Sequence, residues 1–223
     1  MSESVDNYLK AILELAGAAN SRVSTNALAD RLGVRTPSVT GMLQKLAAQS
    51  PSLVRYEKHR GVRLTAAGER RAWELVRRHR LLELFLHDVL HYSWDEVHDE
   101  AERLEHFISE RFEDRIAALL GDPEIDPHGH AIPRKYAAAM RREEVPLAQW
   151  PLRTPATISS VSDRSADALR ELERLGLMPG AVLTIEQQNS AASLALLVGD
   201  RTQPIRLSHD LASYILVSPR KVG

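Results

Sequence analysis

Residues 24–46 carry the feature that most constrains the fold of this chain. Ala29, Gly33 and Val39 have the spacing of two helices that cross at a tight turn: a small residue at the crossing, glycine at the turn and an apolar residue on the second helix. Thr36 and Pro37 predict the cap and first position of that second helix, because proline is tolerated where no backbone donor is needed. The segment therefore predicts a helix-turn-helix.

A two-stranded wing is predicted directly after it, because LVRYEKHRGVRLT alternates apolar and polar residues on both sides of KHRG. Residues 22–63 contain 8 Lys+Arg and 2 Asp+Glu. Residues 1–78 carry 13 basic and 7 acidic side chains, a net of +6, and residues 79–223 carry 16 and 23, a net of −7, which together give −1. A basic N-terminal region favours an anionic partner, and this motif indicates double-stranded DNA. A plain three-helix unit with a hairpin is the alternative interpretation.

The second helix of the motif, at about 37–49, would be the recognition helix in the major groove. Its short polar and amide side chains are the candidates to contact base edges in the major groove: Ser38, Thr40 and Gln44. The basic side chains of the helix and wing are the candidates for phosphates: Lys45, Lys58, His59 and Arg60. The residues that start the helix complete the predicted interface: Arg35, Thr36 and Pro37.

Helical periodicity predicts further helices on both sides of this motif. A first helix spans residues 3–19, and Thr65 can cap a long one at about 66–90. Ser93 and Glu96 form a capping box for another at about 94–120. The loop DPEIDPHGHAIP and a short helix at 134–143 follow.

The last third of the chain predicts a compact SH3-like β-barrel. VPLAQWPLRTP contains three prolines and is interpreted as a linker. SADALRELERLG predicts a helix that ends at Gly176, and VLTIEQQ, SLALLV, QPIRLS and YILVSP predict short strands separated by turns. The predicted fold class is mainly α with small β parts.

Composition excludes several classes of protein. The chain contains no cysteine, so it has no disulfide, thiolate zinc site or iron–sulfur cluster. No apolar run reaches membrane-spanning length, and the N-terminal residues lack the apolar region of a signal peptide, so we expect a cytoplasmic protein with no membrane partner. We recognise no nucleophile motif or phosphate-binding glycine loop, and we expect no enzymatic activity and no small organic substrate.

The segment VHDEAERLEHF places two imidazoles and two of its four carboxylates on one side of a predicted helix. On a helix of about 100° per residue, His98, Glu102, Glu105 and His106 lie on one side and border an apolar stripe. Imidazole and carboxylate together suit Mn²⁺, Fe²⁺, Co²⁺, Ni²⁺ and Zn²⁺. The segment indicates a metal site, and a solvated helix face is the alternative.

One predicted helix earlier, His79 and Glu83 stand four residues apart on one face. The same two interpretations apply to this pair. The remaining histidines of the region show no such pairing and are expected at the surface: His87, His91, His128 and His130.

The order of these motifs resembles the diphtheria-toxin-repressor family of metal-dependent transcriptional repressors, which includes manganese-transport regulators. The resemblance rests on the winged helix-turn-helix, the Thr65-capped helix with HRLLE, the segment HDEAERLEH and the loop DPHGHAIP, and it spans essentially the whole chain. It implies a homodimer that binds operator DNA when loaded with metal and represses metal-uptake genes. The implied domains are a winged helix-turn-helix at 1–72, a helical dimerisation and metal-binding domain at 73–143, a linker at 144–154 and an SH3-like domain at 155–223.

The resemblance also implies two metal sites in each subunit. The ancillary site corresponds to residues of the long helix and its successor, with one candidate from the SH3-like domain: His79, Glu83, His98 and Asp163. The primary site corresponds to the end of VHDEAERLEHF and a residue of the first helix: Asn7, Glu102, Glu105 and His106. The adjacent Asp6 is the alternative to Asn7 if the register differs.

Position 102 bears on the identity of the metal, because iron-sensing members of the family carry cysteine there and manganese-sensing members carry glutamate. Glu102 therefore implies Mn²⁺ first and Fe²⁺ as a close second. Two other functions stay open. A di-metal carboxylate enzyme would need paired Glu-x-x-His helices, which Glu102-x-x-Glu105 does not supply. A metal-independent winged-helix adaptor would bind DNA whether or not a chelator is present.

Overall fold

The computed structural model describes residues 3–17, 21–137, 143–189 and 193–220. The chain divides into two compact units. The first contains residues 1–79, 105–108 and 133–139, and the second contains residues 80–104, 109–132 and 140–223. The short segment 105–108 therefore folds with the N-terminal part of the chain, although its sequence neighbours on both sides belong to the second unit.

The first unit begins with three helices: α1 (Glu3–Ala16), α2 (Thr25–Leu32) and α3 (Thr36–Ala47). Ser24 caps α2 by accepting the Ala27 N–H at 3.1 Å. Gly33 ends α2 with φ 64°, a left-handed conformation that glycine adopts without strain. The predicted helix-turn-helix is confirmed.

The N-cap of α3 differs by one residue from the prediction. Arg35 occupies this position with extended backbone (φ −77°, ψ 142°), and Thr36 is the first helical residue. Pro37 lies in the first turn, where its missing N–H leaves no hydrogen bond unmade.

The wing consists of β1 (Val54–Glu57) and β2 (Gly61–Leu64), which pair antiparallel as predicted. Val62 exchanges two backbone hydrogen bonds of 2.9 Å with Val23, which precedes α2. Gly61 has φ 92°, and a Cβ at this position would lie 2.4 Å from the Val23 carbonyl oxygen. The close approach of the wing to the helices therefore requires glycine here.

The core of the first unit joins all three helices to the wing. Leucines from each helix are fully buried in one cluster with residues of the wing: Leu9 from α1, Leu28 from α2, and Leu43 and Leu46 from α3. Fully burying a side chain of this size contributes about 1.5–3 kcal/mol. Because the three helices share this core, a displacement of α1 would change the packing of α2 and α3.

Three helices follow the wing: α4 (Ala66–Asp88), α5 (Val97–Leu104) and α6 (Glu110–Leu119). Thr65 caps α4 as predicted, because its hydroxyl accepts the Gly68 N–H at 3.1 Å. The single helix predicted at 94–120 is wrong, since residues 105–107 form a turn and residues 108–109 have no regular secondary structure. Ser109 has φ −79° and ψ 157°, and its side chain accepts the Phe112 N–H, so it begins a new helix.

The C-terminal part of the second unit is a six-stranded antiparallel sheet in the order β3-β8-β4-β5-β6-β7. Its strands are β3 (Val145–Pro146), β4 (Pro155–Val161), β5 (Val182–Asn189), β6 (Ser193–Val198), β7 (Ile205–Ser208) and β8 (Ile215–Pro219). Helix α7 (Ala166–Leu175) ends at Gly176 as predicted, and α8 (His209–Ala212) lies between β7 and β8. The predicted fold class is confirmed.

Residues 144–154 do not form the predicted linker. Val145 and Pro146 pair with Val217 and Leu216 of β8, and Leu147 is fully buried in the core of the C-terminal sheet. The predicted helix at 134–143 is also wrong where it can be checked, because residues 134–137 are turn and irregular backbone, and residues 138–142 lie outside the described residues. Within the described residues, no helix combines the length and apolar character needed to cross a membrane.

Candidate metal centre and nucleic-acid interface

Glu105 is the centre of a buried polar cluster in the first unit. Its side chain is fully buried in the turn after α5. Lys10 of α1 donates to both carboxylate oxygens, at 2.8 Å to Oε1 and 2.7 Å to Oε2. Nδ1 of His79, on α4, lies 2.7 Å from Oε2. A desolvated carboxylate persists only where such partners compensate its charge.

Helix α1 and its neighbours place more polar groups beside Glu105. Arg71 donates to both oxygens of Asp6, at 3.2 and 3.1 Å. The imidazole of His106 lies between two carboxylates, with Nδ1 3.5 Å from Asp6 Oδ2 and Nε2 3.6 Å from Glu105 Oε1. Oδ1 of Asn7 is buried and accepts a hydrogen bond from none of the described residues. A buried amide oxygen of this kind fits a cation ligand, because leaving it without any partner is costly.

A second cluster lies wholly within the second unit and contains three predicted ligands. Nδ1 of His98, on α5, lies 3.2 Å from Oε1 of Glu83, on α4, and 3.3 Å from Oδ2 of Asp163. Asp163 stands between β4 and α7 and is half-buried, whereas Glu83 is fully buried. His79, predicted as the fourth member, lies one helical turn before Glu83, and its Nδ1 contacts Glu105 in the first unit.

The two carboxylates hold a proton on His98. Burial is the largest influence on this imidazole and lowers its pKa, but the hydrogen bonds to Asp163 and Glu83 outweigh burial and raise the pKa to about 10. Burial alone would raise the pKa of Asp163, but the hydrogen bond from His98 holds it well below its ordinary value. An imidazole binds a metal only when it is neutral, so a divalent cation here must displace the proton on His98.

The loop 126–130 contains two imidazoles that sequence reasoning placed wrongly at the surface. His128 is fully buried, with Nε2 3.0 Å from the Trp94 carbonyl oxygen and Nδ1 3.7 Å from Glu83 Oε1. Asp126 accepts the backbone N–H groups of His128 and His130, both at 2.9 Å. His130 is half-buried. The signal that could have located them is DPHGH, in which an aspartate precedes histidines two and four residues later.

The four residues of VHDEAERLEHF predicted as metal ligands do not share one helical face. Glu102 is half-buried in the last turn of α5, in the second unit, while Glu105 and His106 lie beyond the end of this helix. His98 faces Glu83 and Asp163, whereas Glu105 and His106 face side chains of α1. The expectation of one continuous polar face is wrong because the helix ends at Leu104.

The predicted DNA contacts lie on an accessible surface of the first unit. On α3, Thr36 and Thr40 are half-exposed, and the other candidates are exposed: Arg35, Pro37, Ser38, Gln44 and Lys45. The tip of the wing is exposed at Lys58, His59 and Arg60. Arg22 and Arg60 both pair with Glu57, so the only acidic side chain of the wing is neutralised and the tip remains basic.

Three family models match successive parts of the chain. The N-terminal DNA-binding domain of iron-dependent repressors matches residues 1–62, their metal-binding and dimerisation domain matches residues 65–134, and the FeoA domain matches residues 145–219. The chain is 28% identical to the iron-dependent repressor IdeR of Mycobacterium leprae, over 96% of this chain and 96% of that protein. It is 37% identical to the regulator MntR of Lysinibacillus sphaericus, over 56% of this chain and 86% of that protein.

The comparison with solved structures agrees with the family models. A solved structure of a manganese-dependent transcriptional repressor in complex with manganese matches with a TM-score of 0.88 and 34% identity, over 97% of this chain and 100% of that chain. A winged helix-turn-helix joined to a helical metal-binding region and a C-terminal FeoA domain defines a metal-dependent transcriptional repressor. The chain belongs to the diphtheria-toxin-repressor family, as its motifs predicted.

Proposed function

We propose that this repressor binds operator DNA as a homodimer when loaded with Mn²⁺ or Fe²⁺, and that it controls genes of metal uptake and homeostasis in the cytoplasm. The observation that carries the proposal is the place of residues 105–108, which belong to the same compact unit as α1, α2 and α3. Glu105 and His106 face polar side chains of α1. A metal held at this point would act on α1, which shares its core with α3, the helix proposed to enter the major groove.

The primary ion would be held by Asn7, Glu102, Glu105 and His106. Asn7 is favoured over Asp6, because both oxygens of Asp6 accept hydrogen bonds from Arg71. The carboxylate of Asp6 lies 3.5 Å from His106 Nδ1, without a hydrogen bond, and would act on the imidazole through its charge. A bound divalent cation supplies the positive charge that makes this one arrangement of ligands favourable. Metal binding and the DNA-competent conformation are then linked reciprocally, since each stabilises the other.

A second ion in each subunit would be held by His79, Glu83, His98 and Asp163. Asp163 follows β4 of the C-terminal sheet, so the FeoA domain would contribute directly to metal sensing. His128 faces the Trp94 carbonyl with one ring nitrogen and Glu83 with the other, and it limits the positions open to the Glu83 carboxylate.

Mn²⁺ is the first choice of metal and Fe²⁺ the second. Glu102 supplies a hard oxygen ligand where a thiolate would favour later transition metals. The relatives support both metals, because one is named an iron-dependent repressor and another was solved with manganese.

The DNA interface would consist of α3 in the major groove and the wing against the backbone. Arg60→Ala should weaken binding to operator and random DNA by similar factors, because a phosphate contact carries no sequence information. The slope of log K against log salt should fall by about 0.9 if Arg60 neutralises one phosphate. Fluorescence anisotropy at several salt concentrations measures both quantities, with Arg206→Ala, an exposed arginine of β7, as the matched control. If the salt slope were unchanged and only the preference for operator over random DNA were reduced, Arg60 would contact a base and not a phosphate.

The homodimer would form through the apolar side of α6. Phe112 and Leu119 are 46% and 65% exposed, which is high for side chains of this size. A two-fold axis would cover them with the same face of a second subunit. Sedimentation equilibrium with metal present should give the dimer mass at about micromolar concentration, where tight homodimers persist. A monomer at this concentration would contradict the proposal.

We assign DNA binding to residues 1–72 and dimerisation with metal binding to residues 73–143, and we place the start of the FeoA domain at about residue 145 rather than 155. Selection of genomic DNA fragments with and without metal tests the function as a whole. Fragments retained equally in chelator would indicate a metal-independent adaptor. Turnover of a substrate by the metal-loaded protein, without DNA binding, would indicate a di-metal enzyme.

A further inference from the structure

Lys10 makes an unusual contact for a residue beside a proposed metal ligand. Its ammonium lies within 2.8 Å of both oxygens of Glu105, a side chain with no exposure to solvent. The Lys10 side chain itself is 18% exposed, so the ion pair is largely removed from water. Charges that are desolvated in this way attract each other far more strongly than a surface pair does.

The position of Lys10 on α1 brings its charge to the proposed primary site. Lys10 follows Asn7 by three residues and Asp6 by four, so the three side chains lie on one face of the helix. Asp6 is 3.5 Å from His106, and His106 is 3.6 Å from the same Glu105 oxygen that Lys10 contacts at 2.8 Å. A tethered cation therefore stands at the carboxylate that is proposed to bind the metal.

We propose that Lys10 is a built-in competitor of the metal at the primary site. Its ammonium neutralises Glu105 in the metal-free protein and withdraws from one or both oxygens when a divalent cation binds. The free energy of the ion pair is then subtracted from the free energy of metal binding, so Lys10 raises the metal concentration at which the repressor is loaded. This inference rests on the proposed function, because it requires Glu105 to be a ligand.

Neutral and charged substitutions at position 10 separate competition from a purely structural ion pair. Lys10→Met and Lys10→Gln remove the competing charge and should tighten Mn²⁺ binding about tenfold, the factor that 1.4 kcal/mol produces. Lys10→Arg keeps the charge and should not tighten it. Both neutral variants should also unfold at a lower temperature than the wild type when metal-free, because Glu105 is left buried without its counter-ion. Their gain in melting temperature on adding Mn²⁺ should be larger.

The measurement is isothermal titration of the metal-free full-length protein with MnCl₂, combined with thermal unfolding with and without Mn²⁺. Arg206→Met is the matched control for removal of one positive charge, and its affinity should equal that of the wild type. Unchanged or weaker Mn²⁺ binding by both neutral variants would overturn the role of Lys10. His106→Ala distinguishes failure of the role proposed for Lys10 from failure of the proposed primary metal site. If the wild type binds Mn²⁺ no better than His106→Ala, the primary site itself is misassigned and both proposals fail.

Discussion

His106→Ala should abolish the stimulation of operator binding by Mn²⁺ and Fe²⁺ alike. The imidazole lies between Asp6 and Glu105, and its side chain is 4% exposed, so water cannot readily replace it as a ligand held in the same geometry. Removing it leaves the primary ion with carboxylate and amide oxygens alone. Loss of a residue that hydrogen-bonds to a metal ligand typically lowers metal affinity roughly 10–100-fold. Loss of the ligand itself should lower the metal response at least as much.

The measurement is operator affinity as a function of free metal at fixed pH, since the ligands must be deprotonated. His87→Ala is the matched control, because His87 is a partly exposed histidine of α4 that pairs with Asp88. Glu83→Ala should have a smaller effect than His106→Ala, because it removes a ligand of the ancillary site only. A metal response in His106→Ala equal to that of His87→Ala would remove His106 from the primary site.

Glu102→Cys should change the ranking of metals and preserve the fold. A thiolate is a softer ligand than a carboxylate, so activation by Mn²⁺ should weaken relative to activation by Co²⁺ or Fe²⁺, by about tenfold or more in the ratio of half-activating concentrations. Glu100→Cys is the matched control, because Glu100 lies on the same helix and pairs with Arg103. If both variants keep the wild-type ranking, Glu102 is not a ligand.

The DNA-binding region could be predicted from sequence because its signals are local. Ser24 and Gly33 fix the ends of α2, Pro37 fixes the start of α3, and the turn KHRG fixes the wing. Each of these residues acts through its own backbone conformation or through a partner a few residues away. Such effects depend little on the rest of the chain.

The break between α5 and α6 could not be predicted by periodicity, because the apolar pattern continues through it. Ser109 was the available signal, since serine is a favoured N-cap residue and can begin a new helix. The break between α5 and α6 determines which side chains each of the candidate metal ligands contacts. It separates His98, which meets Asp163 and Glu83, from Glu105, which meets Lys10.

Contacts between distant parts of the chain leave no local signal in the sequence, and the grouping of Glu83, His98 and Asp163 was expected only from the family resemblance. Lys10 and Glu105 are separated by 95 positions, and position 10 carried no signal of a metal site because lysine is not expected among ligands. His128 was assigned to the surface because DPHGH signals only its backbone contact with Asp126, whereas the Trp94 carbonyl beside its ring nitrogen is 34 positions away. The proline-rich segment at 144–154 predicted a linker, which is wrong because its pairing with β8 depends on residues some 70 positions later.

Control of DNA binding by a divalent metal at residues 105–106 and α1 is the core of the proposed mechanism. The most direct measurement is the affinity of the wild-type protein for a fragment selected from genomic DNA, at one salt concentration, in Mn²⁺ and in excess chelator. We predict tight, sequence-specific binding in Mn²⁺, and in chelator a fall to the affinity for random DNA, with His106→Ala giving the chelator value under both conditions. Equal, sequence-specific affinity in Mn²⁺ and in chelator would contradict this mechanism.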